Sequence, residues 1–164
     1  MKTDHVDLIL EQWRLERPDI DASPMAVMGR LARASNHFNS ELQRVFAEFG
    51  LNSGEFDVLA TLLRSGAPYT LTPNHLLQTL MLSSGAMTNR VDRLEAKKLV
   101  QRNADPNDRR GVLVSLTSLG MDLINSAIEQ HVKKGEDLLS PLTKSEQGSL
   151  AILLKKLLIT HESK

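Results

Sequence analysis

The stretch that decides the fold is residues 84–117, SGAMTNRVDRLEAKKLVQRNADPNDRRGVLVSLT. Its first half has the apolar period of a helix, because Met87, Val91 and Leu94 lie within about 60° of each other around the axis. Its second half has two β-favourable runs on either side of the turn-forming cluster at residues 105–108. We therefore predict a helix followed by a β-hairpin with a basic tip.

Helix-start signals recur along the rest of the chain and divide it into further helices. Residues 143–146 have the spacing of a capping box, and Gly50 and Gly66 stand where left-handed residues end helices. Capping hydroxyls precede apolar-periodic runs at five further places, which are Ser23, Ser53, Thr72, Ser83 and Thr117. We predict helices near residues 4–16, 24–49, 54–65, 73–80, 84–98, 118–138 and 144–161.

The predicted order of elements from residue 53 to residue 117 is helix, helix, turn, helix and hairpin, which is a winged helix-turn-helix. The run at residues 69–71 is compatible with a short third strand beside the hairpin. We therefore predict a mainly α-helical fold with a small β-hairpin wing. Residues 1–164 are expected to form a single domain, in which residues 53–117 are the winged lobe, between helices in residues 1–50 and 118–164.

The composition restricts the classes to which the chain can belong. It has 164 residues, of which 41% are apolar, and no cysteine, which excludes a disulfide scaffold, thiol catalysis and the zinc sites that use cysteine. The five histidines lack metal-ligand spacing, and the usual phosphate-binding and nucleophile motifs are missing. We therefore expect no enzyme, no cofactor and no metal. Without a secretory signal or an apolar stretch long enough for a bilayer, the expected location is cytoplasmic.

The charge is balanced overall but unevenly distributed. The chain has 20 basic and 20 acidic residues. Residues 72–117 hold seven of the basic and four of the acidic ones, a net charge of +3, so the remaining chain carries −3. A basic segment between acidic flanks is a modest indication of a localised surface for anions, of which the phosphates of a nucleic acid are one kind.

The helix of the opening stretch has a polar face opposite its apolar one. Gly85, Asn89, Asp92 and Arg93 share that side, with Thr88 beside them. Small hydrogen-bonding groups at the start and a cation further along suit the major groove of DNA. One alternative is an ordinary solvated helix face. Another is a winged helix that only binds other proteins, without specific DNA binding.

Two apolar stripes are longer than a winged lobe of about 65 residues can cover. Ordinary core packing is one interpretation, and pairing with a second copy of the chain is the economical way to bury both stripes. The stripe of the early helix is Leu31, Phe38, Leu42, Val45, Phe46 and Phe49, and that of the last helix is Leu142, Leu150, Leu153, Leu154, Leu157 and Leu158.

Two motifs resemble those of the MarR family of transcriptional regulators. Residues 108–117, DRRGVLVSLT, are similar to the family's wing signature D-x-R-x-x-x-V-x-L-T, and residues 84–95 resemble its recognition helix. The resemblance runs from about residue 5 to the end. It implies a homodimer with interlocked terminal helices, a pseudopalindromic double-stranded DNA operator, and recognition helices in major grooves about 34 Å apart. Repression is the family default.

The resemblance also implies which residues contact DNA. Arg110, or its neighbour Arg109, would enter the minor groove, and Asp108 would brace the wing by pairing with an arginine. A turn-stabilising ion pair is the alternative role for that pair. The complete set of implied DNA-binding residues is Ser83, Ser84, Gly85, Thr88, Asn89, Arg93, Asp108, Arg109 and Arg110.

Several segments, among them residues 12–13, 56–62 and 68–73, are similar to the urate-responsive, PecS- and HucR-like subgroup of that family. The subgroup implies an effector site for a small aromatic anion, urate or a related purine. Its matching residues are Trp13, Asp57, Arg90 and Arg102. Related pockets accept phenolic acids, which stay an alternative class of effector.

The position of Arg90 gives that implication partial physical support. Arg90 lies about 60° from the centre of the buried face of its helix, so its guanidinium needs a partner, and a nearby Asp57 would supply one. Trp13 is the one tryptophan and offers a flat face to an aromatic ring. The alternative is that Asp57 and Arg90 form a static ion pair and that Trp13 packs in a dimer interface.

Overall fold

The computed structural model describes residues 2–81, 83–106 and 108–162, and leaves out the side chains at positions 109, 110, 161 and 162. Over this part of the chain the fold is mainly α-helical with a small antiparallel sheet, as predicted. None of the helices described is long and apolar enough to cross a membrane. The chain divides into two compact units, residues 1–42 and 43–164.

The first unit contains α1 (His5–Glu16) and most of α2 (Ser23–Glu48). Asp4 caps α1 by accepting hydrogen bonds from the backbone N–H groups of Val6 and Asp7. Arg30 of α2 reaches back to both acids, with 2.8 Å from its Nε to Asp4 and 2.6 Å from Nη2 to Asp7. Val6 is buried, and its methyl groups lie 3.4 Å from the place where a Cβ on Gly29 would stand. These contacts fix α1 against α2.

The second unit holds the winged helix-turn-helix predicted from the sequence. The sheet has the order β1–β3–β2, with β1 and β2 both antiparallel to β3. The register pairs Thr70 with Ser115 and Val100 with Leu116. Its elements are α3 (Ser53–Arg64), β1 (Thr70–Leu71), α4 (Pro73–Leu80), α5 (Ser84–Ala96), β2 (Val100–Asp105), β3 (Asp108–Leu116), α6 (Ser118–Leu139) and α7 (Lys144–Glu162).

The core of the second unit is built around α3. Apolar side chains of α3, α4, α5, β3 and α6 are fully buried there, and each such burial stabilises the fold by about 1.5–3 kcal/mol. Phe46, from the end of α2, stacks on Phe56 with 4.1 Å between ring centroids, and the ring of His131 lies beside both. The largest fully buried side chains include Val58, Leu59, Leu62, Leu76, Met87, Leu94, Val114 and Ile124.

Two of the predicted helix caps are wrong by one or two positions. Asn52, not Ser53, caps α3: its side chain accepts a hydrogen bond from the Glu55 N–H, while Glu55 accepts one from the Asn52 N–H, both at 2.9 Å. Ser23 is already helical, and its N–H and hydroxyl donate to Asp21. In both cases an amide or carboxylate oxygen lies within reach and takes the place of the hydroxyl.

The remaining start and stop signals are confirmed. Thr72, Ser83 and Thr117 cap α4, α5 and α6 with their hydroxyl oxygens. The capping box at residues 143–146 is present, since the Thr143 N–H donates to Glu146 at 2.8 Å and the Glu146 N–H donates to the Thr143 hydroxyl. Gly50 and Gly66 have φ of 66° and 80°, as left-handed residues after helices do.

The start of α6 is packed against the two residues that precede β2. A Cβ on Gly120 would collide with the backbone carbonyl of Leu99. Thr117 holds the same joint, because its N–H donates to the Leu99 carbonyl at 3.1 Å and its hydroxyl donates to the Lys98 carbonyl at 2.7 Å. The joint between β2 and α6 therefore has a fixed geometry.

Candidate nucleic-acid interface and effector site

The outer face of α5 is exposed in the part of the chain that the structure describes. Met87, Val91 and Leu94 are at most 2% exposed, as the helical period predicts, and fasten the inner face to the core. Ser83 caps the helix by accepting a hydrogen bond from the Ala86 N–H. The residues on the opposite side are exposed, and they are Ser84, Gly85, Thr88, Asn89, Asp92 and Arg93.

The basic tip that the sequence predicts is already part of a strand. Strand β3 starts at Asp108, so the backbones of Arg109 and Arg110 are already part of the sheet. The pairing of β2 with β3 is irregular between Ala104 and Asp105, next to the turn. The Asp108 side chain is exposed. The side chains of Arg109 and Arg110, with their predicted minor-groove role, lie outside the described residues.

Arg102 joins the wing to α5. From β2 its guanidinium donates hydrogen bonds to two carboxylates of α5, through Nη2 to Asp92 at 2.6 Å and through Nη1 to Glu95, and its backbone N–H donates to Glu95 at 3.2 Å. Partial burial lowers the pKa of Arg102, but the hydrogen bonds to the two acids outweigh this and raise the pKa. This predicted effector residue thus already has two anionic partners, which the sequence alone did not indicate.

Asp57 lies on α3 with three basic side chains acting on it. Its side chain is exposed at the surface, yet surrounding protein atoms partly desolvate the carboxyl group and so raise its pKa. The charges of Arg90, Arg64 and His131 act in the opposite direction, in that order of size. An anion that approaches Asp57 therefore meets positive charge from Arg64 of α3 and Arg90 of α5.

Arg90 is positioned differently from the prediction. Its guanidinium lies over the first turn of α3, and Nη1 donates to the backbone carbonyl of Gly54 at 3.5 Å, at the long limit for a hydrogen bond. The expected direct pairing with Asp57 is replaced by this backbone contact and by a charge interaction with Asp57. The guanidinium therefore keeps hydrogen-bonding capacity for another group.

Trp13 belongs to α1 of the first unit. Its side chain is 38% exposed, so part of the ring faces outward. The neighbouring Arg14 is held by Glu11, with 2.6 Å between Nη2 and the carboxylate. An exposed indole at this point offers the flat apolar face that the sequence indicated.

Two features of the second unit were missed by the sequence reasoning. His131 has a buried Nδ1 without a hydrogen-bond partner among the described residues, against the rings of Phe46 and Phe56. Glu55, whose side chain is 3% exposed, accepts hydrogen bonds from Lys97 Nζ at 2.8 and 2.9 Å. The N-x-x-E spacing of residues 52–55 is typical of a capping box and could have predicted the role of Glu55. Nothing in the sequence indicated the roles of Lys97 or His131.

Comparison with known proteins gives a consistent result. Residues 49–111 match a sequence model described as MarR family. The chain is 43% identical to the HTH-type transcriptional regulator PecS of Dickeya dadantii over 146 residues, 89% of this chain and 88% of PecS. It is 35% identical to the multiple antibiotic resistance protein MarR of Escherichia coli over 136 residues, 80% of this chain and 90% of MarR.

Solved structures agree in fold and sequence. A mutant MarR from E. coli complexed with operator DNA has a TM-score of 0.72 and 31% identity, and the match covers 85% of this chain and 99% of that one. Bordetella bronchiseptica BpsR, whose DNA binding is regulated by 6-hydroxynicotinic acid, has a TM-score of 0.70 and 25% identity over 80% and 91% of the two chains. The chain belongs to the MarR family of transcriptional regulators, which are not enzymes.

Proposed function

We propose that this chain is a homodimeric repressor that binds a pseudopalindromic operator and is released from it by a small aromatic anion. The observation that carries the proposal is the exposed polar face of α5 beside the wing. The similar MarR chain was crystallised with operator DNA, which supports the same use of the matching helix here. Repression follows if the operator overlaps a promoter.

In the proposed complex, α5 enters the major groove with its first turn foremost. The hydroxyls of Ser83, Ser84 and Thr88 and the amide of Asn89 are suited to phosphate and base-edge hydrogen bonds, and Gly85 permits close approach. Arg93 follows one turn later as a base-edge donor, because guanidinium matches guanine. Wing residues 108–110 take the adjacent minor groove, where arginine is favoured.

Operator binding is tested by titrating the protein onto labelled DNA from its own promoter region at several salt concentrations. Specific binding should weaken steeply with salt. Arg110→Ala should weaken binding on all sequences and reduce the salt slope by about one for each arginine removed, whereas Arg93→Ala should change base preference.

The control for these variants is Arg17→Ala, because Arg17 is exposed in the first unit and pairs with Asp19. Equal binding of promoter and random DNA, or affinity that does not depend on salt, would contradict the proposal and favour a protein-interaction module.

The proposed effector acts on the positive charge around Asp57. BpsR responds to 6-hydroxynicotinic acid, an aromatic acid, which supports an aromatic anion as the chemical class here. An anion such as urate would bind the guanidinium of Arg90 and repel the Asp57 carboxylate. Since Arg90 belongs to α5, an effector that prefers the displaced helix shifts the protein away from the DNA-binding state. The predicted part of Trp13 and Arg102 in this site comes from the resemblance alone.

The effector is tested by operator release with urate, xanthine and salicylate, followed by fluorescence anisotropy. Asp57→Asn should bind the operator with unchanged affinity but need a several-fold higher urate concentration for release, because the repelled charge is gone. A conservative control is Asp122→Asn, an exposed acid of α6. Unaltered urate sensitivity in Asp57→Asn would reject the role of Asp57.

A further inference from the structure

Gly54 lies in the first turn of α3, where its backbone gives no reason for glycine. It is a regular helical residue and its φ is outside the left-handed region. Alanine at such a position strengthens a helix relative to glycine, because glycine loses more conformational freedom on folding. The reason for glycine must therefore be sought in what lies over this position.

The guanidinium of Arg90 occupies the space where a side chain on residue 54 would stand. A Cβ added to Gly54 would lie 2.5 Å from both Cζ and Nε of Arg90, and 2.9 Å from Nη1. Optimal separations between such atoms are about 3.5–4.0 Å, so the guanidinium and a methyl group cannot share this place. The hydrogen bond that Arg90 donates to α3 is also to residue 54, through the backbone carbonyl.

From these distances we infer that Gly54 is a positioning residue for Arg90, and through it for α5 and for the effector response. The bare backbone of Gly54 forms a seat for the guanidinium on α3. Asp57 is three residues further along the same helix, a spacing that places the two residues on neighbouring surface. Arg90 in this seat is near enough for its charge to oppose the effect of burial on the pKa of Asp57. The effector part of the inference rests on the proposed function.

A methyl group at position 54 should move Arg90 without unfolding the protein. The atoms in the way belong to the far end of a flexible side chain, which can turn aside. Gly120 is a useful contrast, because its obstacle is a backbone carbonyl that cannot turn aside. The expected phenotype of Gly54→Ala is therefore a folded protein with an altered response.

The test is a double-mutant cycle of wild type, Gly54→Ala, Arg90→Ala and the double variant. Each protein is measured for operator affinity, for the urate concentration that gives half-release, and for Tm. Gly54→Ala should raise the half-release concentration at least fivefold and weaken operator binding at least twofold. Arg90→Ala removes the guanidinium that is proposed to bind urate, so operator affinity is the quantity compared in that background. There Gly54→Ala should change operator affinity by less than twofold, because no guanidinium is displaced. Gly54→Ala should also raise the Tm more in the Arg90→Ala background than in wild type.

Two further variants separate positioning from general helix effects. Gly135→Ala in α6 serves as the matched control, because no described atom beyond the chain neighbours and the backbone of the same helix lies within 4 Å of the added Cβ. It should have the same effect in both backgrounds. Arg90→Lys supplies a narrower cation, so Gly54→Ala should cost less than twofold in half-release in that background.

Equal effects of Gly54→Ala with and without Arg90 in operator affinity and Tm would overturn the inference. The inference would also be overturned if wild type responds to urate and Gly54→Ala responds at the same urate concentration. If wild type does not respond to urate, the proposed effector fails. The coupling of positions 54 and 90 in operator affinity and Tm then still decides whether Gly54 positions Arg90.

Discussion

Asp57 holds a carboxylate in surroundings that disfavour its charge. Desolvation raises the pKa of this group above its usual 3.8, and this effect exceeds the opposing charges of Arg90, Arg64 and His131. A group with a raised pKa in the folded state binds a proton more strongly there than in the unfolded chain. The folded state is therefore most stable with Asp57 protonated. Its free energy of unfolding falls as pH rises through the raised pKa.

Asp57→Asn should consequently become more stable relative to wild type as pH increases. Below the usual pKa both side chains are neutral in both states, so the two proteins should have similar free energies of unfolding. Above the raised pKa only wild type carries the desolvated charge. Urea denaturation at a series of pH values between about 3.5 and 7 measures the difference, with Asp122→Asn as control. If the free energy of unfolding of wild type instead rises relative to that of Asp57→Asn as pH increases, the basic neighbours outweigh desolvation.

Arg102 neutralises acids on the helix proposed to face DNA. Asp92 and Glu95 lie on α5, and phosphate groups repel both when the guanidinium is absent. Arg102→Gln should therefore lower operator affinity about fivefold, in line with the ~1 kcal/mol that exposed ion pairs contribute at most. The triple variant with Asp92→Asn and Glu95→Gln should recover most of the affinity in an anisotropy titration. Failure of this rescue would indicate that Arg102 itself contacts the operator or an effector.

At the scale of elements, the buried Glu55 ties the start of α3 to the end of α5. Its carboxylate accepts from the Asn52 N–H within the capping box and from Lys97 Nζ, which also donates to the Gly50 carbonyl at 2.8 Å. The side chain of Lys97 is 40% exposed, so its ammonium group keeps contact with water. The pair fixes how deeply α5 sits against α3, and with it the orientation of the outer face.

Lys97→Met should destabilise the fold by about 2 kcal/mol, because it leaves the Glu55 carboxylate buried without its cation. Adding Glu55→Gln should recover much of that loss, since an amide is cheaper to bury than an unpaired charge. Urea denaturation gives both values. Lys98→Met makes the same chemical change at an exposed neighbour and should stay within about 0.5 kcal/mol of wild type. A similar loss in both methionine variants would contradict the role of the ion pair.

The elements that local sequence determines were predicted well. The inner face of α5 follows from the period of Met87, Val91 and Leu94, and the caps at Thr72 and Thr117 need only a hydroxyl before a helix. The errors at Ser23 and Ser53 arose where a stronger acceptor stood one or two residues away. Both kinds of signal act over a few residues, which is why one sequence suffices to read them.

The site was predicted less completely, because its geometry depends on contacts between distant elements. The prediction selected Arg90 as a residue that needs an anionic partner, whereas Arg102 was named from the family resemblance alone. It did not foresee that Arg102 bridges two acids of α5 or that Arg90 lies on Gly54. Such contacts are set by the packing of α3, α5 and β2, which no periodicity encodes. The proposed DNA and effector roles of these residues stay predictions.

At the scale of the whole molecule, the last helix has more apolar surface than one chain covers. Apolar side chains on several sides of α7 remain exposed, and a helix of that kind is normally buried. Val45 and Phe46, from the early stripe, are instead part of the core of the second unit. The exposed apolar residues of α7 include Leu150, Ile152, Leu153, Leu157, Leu158 and Ile159.

Leu153→Glu should therefore weaken the proposed homodimer by at least a hundredfold. Leu153 is 61% exposed in the single chain, and burying a leucine contributes about 1.5–3 kcal/mol, counted twice in a two-fold symmetric interface. Sedimentation velocity over a range of concentrations measures the dissociation constant. Lys155→Gln removes one unit of positive charge from the same helix and is the charge-matched control. A dimer of unchanged strength in Leu153→Glu would place α7 outside the interface.

The close approach of Gly120 to the Leu99 carbonyl has a practical consequence for anyone who builds chimeric sensors from this protein. A graft that joins this winged lobe to the terminal helices of another regulator has to carry the native residues 117–120 across the seam. Even alanine at position 120 would push α6 away from the lobe, and the grafted terminal helices would then have a different orientation.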